Sequence, residues 1–231
     1  MTKDNSSIDI VRRIHWGIVL ILHVVLSVEL AVTIYNGVWI NVFLILAIMS
    51  IMLIPIFLGR AFQLDIPSEF QILAIIFVFA AIFLGEIRSY YERWWWWDIV
   101  LHASSGLLLG IFGFLLVYVL NENEQAQIHM RPRFVALFAF LFAIAVGAIW
   151  EIFEFAVDGL FGTNMQKPML GDDSGLTDTM WDLIVDTIGA LIISVLGWWY
   201  MIHPQSSFIE KWIHKFIQRN PHLFKHSIKN D

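Results

Sequence analysis

The sequence predicts an all-α, polytopic membrane protein: a bundle of about six transmembrane helices followed by a C-terminal amphipathic helix at the membrane interface. Two observations predict it. Hydrophobic residues fill 58% of the 231 positions and charged residues only 15%, where a soluble domain carries about 25% charged residues. The apolar residues also gather into six runs, 14–35, 38–58, 70–87, 99–120, 134–156 and 180–202. Each is close to the roughly 20 residues that carry a helix across a hydrocarbon core. The runs are unbroken rather than alternating, so a transmembrane barrel is not expected, and a helix satisfies its own backbone in lipid.

The first run follows a short basic segment. It exceeds the about 7–15 residues of a secretory signal core and lacks a small-residue cleavage site, so it reads as an uncleaved anchor. His15 and His23 within it read as satisfied core histidines. Between the third and fourth runs, the segment 85–98 carries Tyr90, Tyr91 and Trp94-Trp95-Trp96-Trp97. Such residues suit the water–lipid boundary, and the segment reads as an interfacial belt, with an aromatic wall for a substrate as the alternative. After the sixth run, Phe208, Ile209, Trp212, Ile213, Phe216 and Ile217 recur at helical spacing, with Lys211, Lys215 and Arg219 elsewhere on the wheel. A basic amphipathic helix of this kind is expected to lie along a leaflet and to contact anionic lipid. The chain therefore divides into one transmembrane domain, 1–203, with the site within 85–190, and a cytoplasmic tail, 204–231.

Orientation follows from Lys and Arg, which favour cytoplasmic loops. With the N-terminus inside, eleven basic residues fall inside and three (Arg88, Arg93 and Lys167) outside. Both termini are thus expected in the cytoplasm of a cell expressing the protein in its plasma membrane. The chain has no cysteine, which excludes disulfides, thiolate catalysis and iron–sulfur clusters. No nucleic-acid partner is expected; membrane lipids and a lipid-linked substrate are.

Ionisable groups inside spans cost about 2.5–3.5 kcal/mol each on insertion scales, so each calls for a partner, water or a role. They concentrate in the last three helices. Asp98 and His102 are four apart; Glu151, Glu154 and Asp158 are spaced three and four; Asp178, Asp182 and Asp186 are spaced four and four. Each set shares one helix face. The alternating direction of the helices puts all eight groups at the external ends, with Asp172 and Asp173 in the loop above them. So many carboxylates call for a cation, retained protons or water. Carboxylates with one imidazole suit Zn²⁺, Mn²⁺ or Fe²⁺, and carboxylates alone suit Mg²⁺ or Ca²⁺. The expected metal ligands are His102, Glu151, Glu154, Asp182 and Asp186. Glu151 and Asp182 are the candidates for general base, and Glu29, Asp98, Asp158 and Asp178 form the edge of the site. Asp98 and Asp178 also stand at helix starts, where a carboxylate caps free N–H groups. Three functions stay open: a metal-dependent hydrolase or transferase, an ion- or proton-coupled transporter, and a non-enzymatic envelope scaffold or lipid-headgroup binder. The transporter is disfavoured, because helices four to six are nearly apolar below Asp186 apart from Ser104, Ser105 and Ser194.

Three groups of residues carry a family resemblance over about residues 70–200: Trp97-Asp98 with His102 and Gly106; Trp150-Glu151-Ile152-Phe153-Glu154; and Thr177-Asp178-Thr179-Met180-Trp181-Asp182 with Gly189. They resemble a family of bacterial membrane proteins exemplified by YjdF, and more distantly the VanZ-like proteins linked to glycopeptide resistance. The YjdF-like proteins carry a similar Asp-x-x-x-His, a similar Glu-x-x-Glu and a similar Trp-Asp-x-x-x-Asp; Thr177 stands here in place of the first Trp of that last motif. The resemblance implies a polytopic envelope protein whose polar residues belong together. It supplies no reaction.

Overall fold

The computed structural model describes residues 2–62, 68–122, 130–203 and 219–220. Its elements are helices: α1 (Thr2–Tyr35), α2 (Trp39–Phe62), α3 (Ser68–Val78) continuing as a π-helix over Phe79–Ile87, α4 (Tyr90–Arg93), α5 (Trp97–Glu122), α6 (Pro132–Phe161) and α7 (Leu176–Ile202). Among the described residues, pairing of β type is confined to one isolated bridge, Met169 with Asp172. Five stretches are long and apolar enough to cross a membrane: Ile10–Tyr35, Ser68–Ile87, Trp97–Val117, Pro132–Phe161 and Leu176–Ile202. A sixth apolar stretch, Trp39–Ile54 within α2, is shorter. Large apolar side chains such as Leu20, Phe43, Ile152 and Val195 lie exposed along these helices, as spans facing lipid require. The expected tail helix lies, but for Arg219 and Asn220, outside the described residues.

The chain forms two compact units that divide between Trp94 and Trp95. In the first, Val19 and Leu26 of α1, Ile45, Ile48 and Met52 of α2, Ile75 of α3 and Phe83 of the π-helix make one core. Bulky aliphatic side chains fill it. The π-helix closes with the Arg88 N–H donating to Phe83 O at 2.9 Å. The Arg88 guanidinium lies over the Phe83 ring, 5.9 Å from its centroid, and pairs with Glu29 at 3.4 Å. Glu29, expected at the edge of the acidic site, is thus engaged by a cation within this unit. His15 is buried, and the His23 Nδ1–H donates to Val19 O at 2.8 Å. The Nε2 atoms of both lack a hydrogen-bond partner among the described residues, so these core histidines are less satisfied than expected.

The second unit packs α5, α6 and α7 together. Pro132 opens α6, where a missing N–H costs nothing, and Gly162 in the left-handed region closes it, its N–H bonding Asp158 O. The buried stripe of α6 is Val135, Ala139, Ala143, Gly147, Glu151 and Glu154; that of α7 is Asp178, Asp182, Asp186, Gly189, Ala190, Ile193, Ser194 and Gly197. Small residues let the backbones approach closely, the usual source of cohesion between helices in lipid. A Cβ at Gly189 would stand 2.6 Å from Ala103 O, and one at Gly106 would collide with the Asp186 carbonyl. α5 and α7 are therefore in backbone contact beside the acidic residues. α6 runs five residues past the predicted end at 156 and α7 begins four before the predicted start at 180. Both extensions carry polar residues, which hydropathy alone assigns to loops.

Candidate metal centre

His102 is the centre of the site. Four residues after Asp98 on α5, it shares that residue's helix face and projects against α7. Its Nε2 lies 3.6 Å from Asp98 Oδ1 and 3.6 Å from Asp182 Oδ2. Its Nδ1 lies 3.4 Å from Asp186 Oδ2. The other oxygen of Asp186 accepts from the Ser105 hydroxyl at 2.5 Å. Gly147 of α6 makes room for this carboxylate, since a Cβ there would stand 2.6 Å from Asp186 Oδ2. Asp186 is thus held between three helices, one oxygen on Ser105 and one on the imidazole.

Asp98, His102 and Asp182 each offer one ligand atom, and the three atoms lie within 4.8 Å of one another. Two donors each about 2.1 Å from a tetrahedral ion sit about 3.4 Å apart. The two Nε2–carboxylate separations of 3.6 Å are close to that spacing. Asp182 is 1% exposed and neither of its oxygens has a hydrogen-bond partner among the described residues. The same holds for Glu151, 4% exposed on α6, which lies beside Thr179. Buried carboxylates whose oxygens lack hydrogen bonds are costly. Three carboxylates, Asp98, Asp182 and Asp186, stand within 3.6 Å of the one imidazole, more acid than a single ring can balance.

The remaining acids are engaged elsewhere. Glu154 accepts from Trp150 Nε1 at 2.8 Å. Asp178, buried in the first turn of α7, accepts from the Lys167 backbone N–H at 2.7 Å; it ties down the preceding loop. Asp158 accepts from the Thr163 hydroxyl at 2.5 Å and from the Met165 and Gln166 N–H groups at 2.8 and 2.9 Å. Gln166 Nε2 in turn donates to Thr179 Oγ1 at 2.6 Å. Asp172 accepts from Ser174 N at 2.9 Å, Thr177 N at 3.0 Å and the Thr177 hydroxyl at 2.8 Å. Hydrogen bonds from Ser174 first, then from Thr177, hold its carboxyl below the usual carboxylate range. Of the predicted metal ligands, the structure therefore groups His102 and Asp182 with Asp98, an expected edge residue. Asp186 touches the far side of the imidazole, Glu151 stands buried near it, and Glu154 is bonded to Trp150. Sequence reasoning named Ser105, Trp150 and Lys167 but gave none of them a contact with the acidic residues. Ser105 lies one turn after His102, and Trp150 four residues before Glu154; these spacings are the signals that point to them.

An all-helical membrane protein with a buried carboxylate–histidine cluster is the class these features define. The chain belongs to the family described as "Predicted membrane protein (DUF2238)", which matches residues 14–203. It is also similar to a Thermotoga maritima protein described as "Uncharacterized protein", at 27% identity over 125 residues. That match covers 54% of this chain and spans 59% of the relative's length. No solved structure matches. The resemblance to YjdF-like proteins is compatible with the family membership; neither comparison shows one to VanZ-like proteins.

Proposed function

We propose that this protein binds a divalent metal ion through Asp98, His102 Nε2 and Asp182, and that it acts on or binds a lipid-linked or cell-envelope substrate there. The observation that carries the reading is Asp182, a fully buried carboxylate with no hydrogen-bond partner among the described residues, facing Nε2 of His102 at 3.6 Å across from Asp98. One imidazole and two carboxylates suit Zn²⁺, Mn²⁺ or Fe²⁺. An ion with an open position polarises a bound oxygen and lowers the pKa of bound water. Glu151, a buried carboxylate of α6 beside Thr179, would be the group available to take the proton such a water loses. The excess of Lys and Arg on one side, eleven against three, supports a plasma-membrane protein with both termini in the cytoplasm and this centre at the outer face. There it opens to headgroups and periplasmic or extracellular water.

Elemental analysis tests the metal. Protein purified without chelator is expected to carry near-stoichiometric Zn, Mn or Fe, and Asp182→Asn to lose it. Wild-type protein that elutes folded and metal-free, and stays so after dialysis against each ion, would falsify the reading.

A further inference from the structure

The loop between α6 and α7 is fixed on both sides of an apolar tip. Met165 N and Gln166 N donate to Asp158 of α6, and Lys167 N donates to Asp178 in the first turn of α7. Beyond the tip, Asp172 accepts from Ser174 N and Thr177 N. Between these anchors Met169 and Asp172 exchange both backbone hydrogen bonds, at 3.1 and 2.9 Å, and close a two-residue hairpin over Leu170 and Gly171. Both tip residues have positive φ, 52° and 84°. Asn-Gly is the usual pair in such a turn, because a short polar side chain tolerates the left-handed region and a bulky one does not. Here a leucine takes the strained place and is 82% exposed, the most exposed large apolar residue described in the second unit. In water its backbone and its side chain are both unfavourable, and only an apolar surrounding offsets them.

Helix length sets the depth of this tip. α6 has 30 residues and α7 has 27, about 45 and 40 Å at 1.5 Å per residue. A bilayer with its headgroups is about 40–45 Å thick. With Arg131 and Arg133 at the headgroups of one leaflet, the last turn of α6 reaches the opposite headgroup layer and does not clear it. The hairpin stays near that level. Leu170 is three residues from Lys167, whose N–H is bonded to the first turn of α7, so its Cα lies within about 11 Å of that anchor. The lipid-facing sides of the spans continue to the same level. Phe153, Ala156 and Leu160 of α6 are exposed at helical spacing, as are Leu176, Met180 and Ile184 of α7. Each stripe thus runs from the span into the terminal turn, where Leu160 is 77% and Leu176 63% exposed. We propose that the α6–α7 hairpin is a membrane contact, Leu170 entering the leaflet at the acidic end of the second unit and packing among acyl chains beside the headgroups. Its partner is lipid hydrocarbon rather than a protein groove, because the tip continues a surface that already faces lipid. Asp158, Asp172 and Asp178 then hold the hairpin in place. None of this depends on the metal.

The chain has no cysteine, so a single introduced thiol takes a nitroxide label without competition. Leu170→Cys, Asp173→Cys and Ile188→Cys are labelled one at a time in the full chain and reconstituted in phosphatidylcholine nanodiscs. Molecular oxygen concentrates among acyl chains and a neutral nickel chelate in water, so the two relaxing agents report depth. The label at 170 should relax more with oxygen than with nickel, as should the label at 188, an exposed position in the middle of α7. The label at 173, exposed just past the turn, should show the reverse order. A label at 170 that behaves like the one at 173 places the tip in water and overturns the proposal. So does a label at 170 that neither agent reaches, which places the tip against protein; dipolar broadening at full labelling would identify that protein as a second copy of this chain. The unsubstituted protein gives an independent reading should Leu170→Cys fail to fold. Phosphatidylcholine with a diazirine on the acyl chain close to the ester should, on illumination, tag the peptide that holds Leu170, and Leu170→Asn, whose side chain suits the turn and not the leaflet, should lose that tag. Tags confined to the spans, or a loop tag that persists in Leu170→Asn, would equally overturn the proposal.

Discussion

The two units of this protein solve the same problem with different side chains. α1, α2 and the α3–π segment pack around Leu26, Ile45, Ile48 and Phe83, large apolar residues that fill space between helices. α5, α6 and α7 pack through Gly106, Gly147 and Gly189, where backbone or carboxylate takes the place of a side chain. Large residues keep helices apart and tolerate trimming. Glycines bring them into contact and tolerate no addition. The second unit can therefore enclose Asp182 and Asp186 at 1% and 2% exposure, whereas Arg88, which pairs with Glu29 in the first, has a side chain 53% exposed.

Substitution at one position in each unit should break this contrast most visibly. Gly189→Leu drives a side chain into the Ala103 backbone, which cannot move aside, and is expected to abolish the folded, monodisperse protein in size-exclusion chromatography. Leu26→Ala leaves a cavity at a fully buried position. It should cost about 2–5 kcal/mol, lowering the midpoint of thermal unfolding while metal content stays as in wild type, because every proposed ligand lies on α5 or α7.

A smaller effect separates ligand from support within the second unit. Asp186 faces His102 Nδ1 and is fixed by Ser105, so it orients the ring that offers Nε2. Loss of such an outer partner typically costs 10- to 100-fold in metal affinity. Asp186→Asn should therefore weaken metal binding by about that factor without abolishing it, in a competition titration against a chromophoric chelator. Asp182→Asn should show no measurable binding in the same assay. Equal loss in both variants would make Asp186 a ligand.

The smallest expected effect concerns the loop. Asp172 has a depressed pKa, so its contribution is present above the ordinary Asp value of about 3.9 and is lost only as pH falls through the lower, folded value. Hydrogen-exchange protection of the Ser174 and Thr177 amides, corrected for the intrinsic pH dependence of exchange, should stay level from pH 7 down to about 4. A loss of protection near pH 4 would show that these bonds do not hold the carboxylate ionised.

The chain alone determined the helical class, because runs of apolar residues near span length admit no other structure in lipid. It also determined which residues share a face: Asp98 with His102, Glu151 with Glu154, and Asp178 with Asp182 and Asp186, since helical spacing is a property of one helix. What it could not determine is how far each helix turns about its own axis against its neighbours. That rotation depends on contacts between residues far apart in the chain, such as Gly106 with the Asp186 carbonyl and Gly189 with Ala103 O. It decides that Asp98 joins His102 and Asp182 and that Asp186 lies behind the imidazole. Hydropathy likewise drew α6 and α7 too short, because the ends that carry Asp158 and Asp178 are stabilised by loop N–H groups. The loop that supplies them is fastened to both helices, to Asp158 of α6 and to Asp178 of α7.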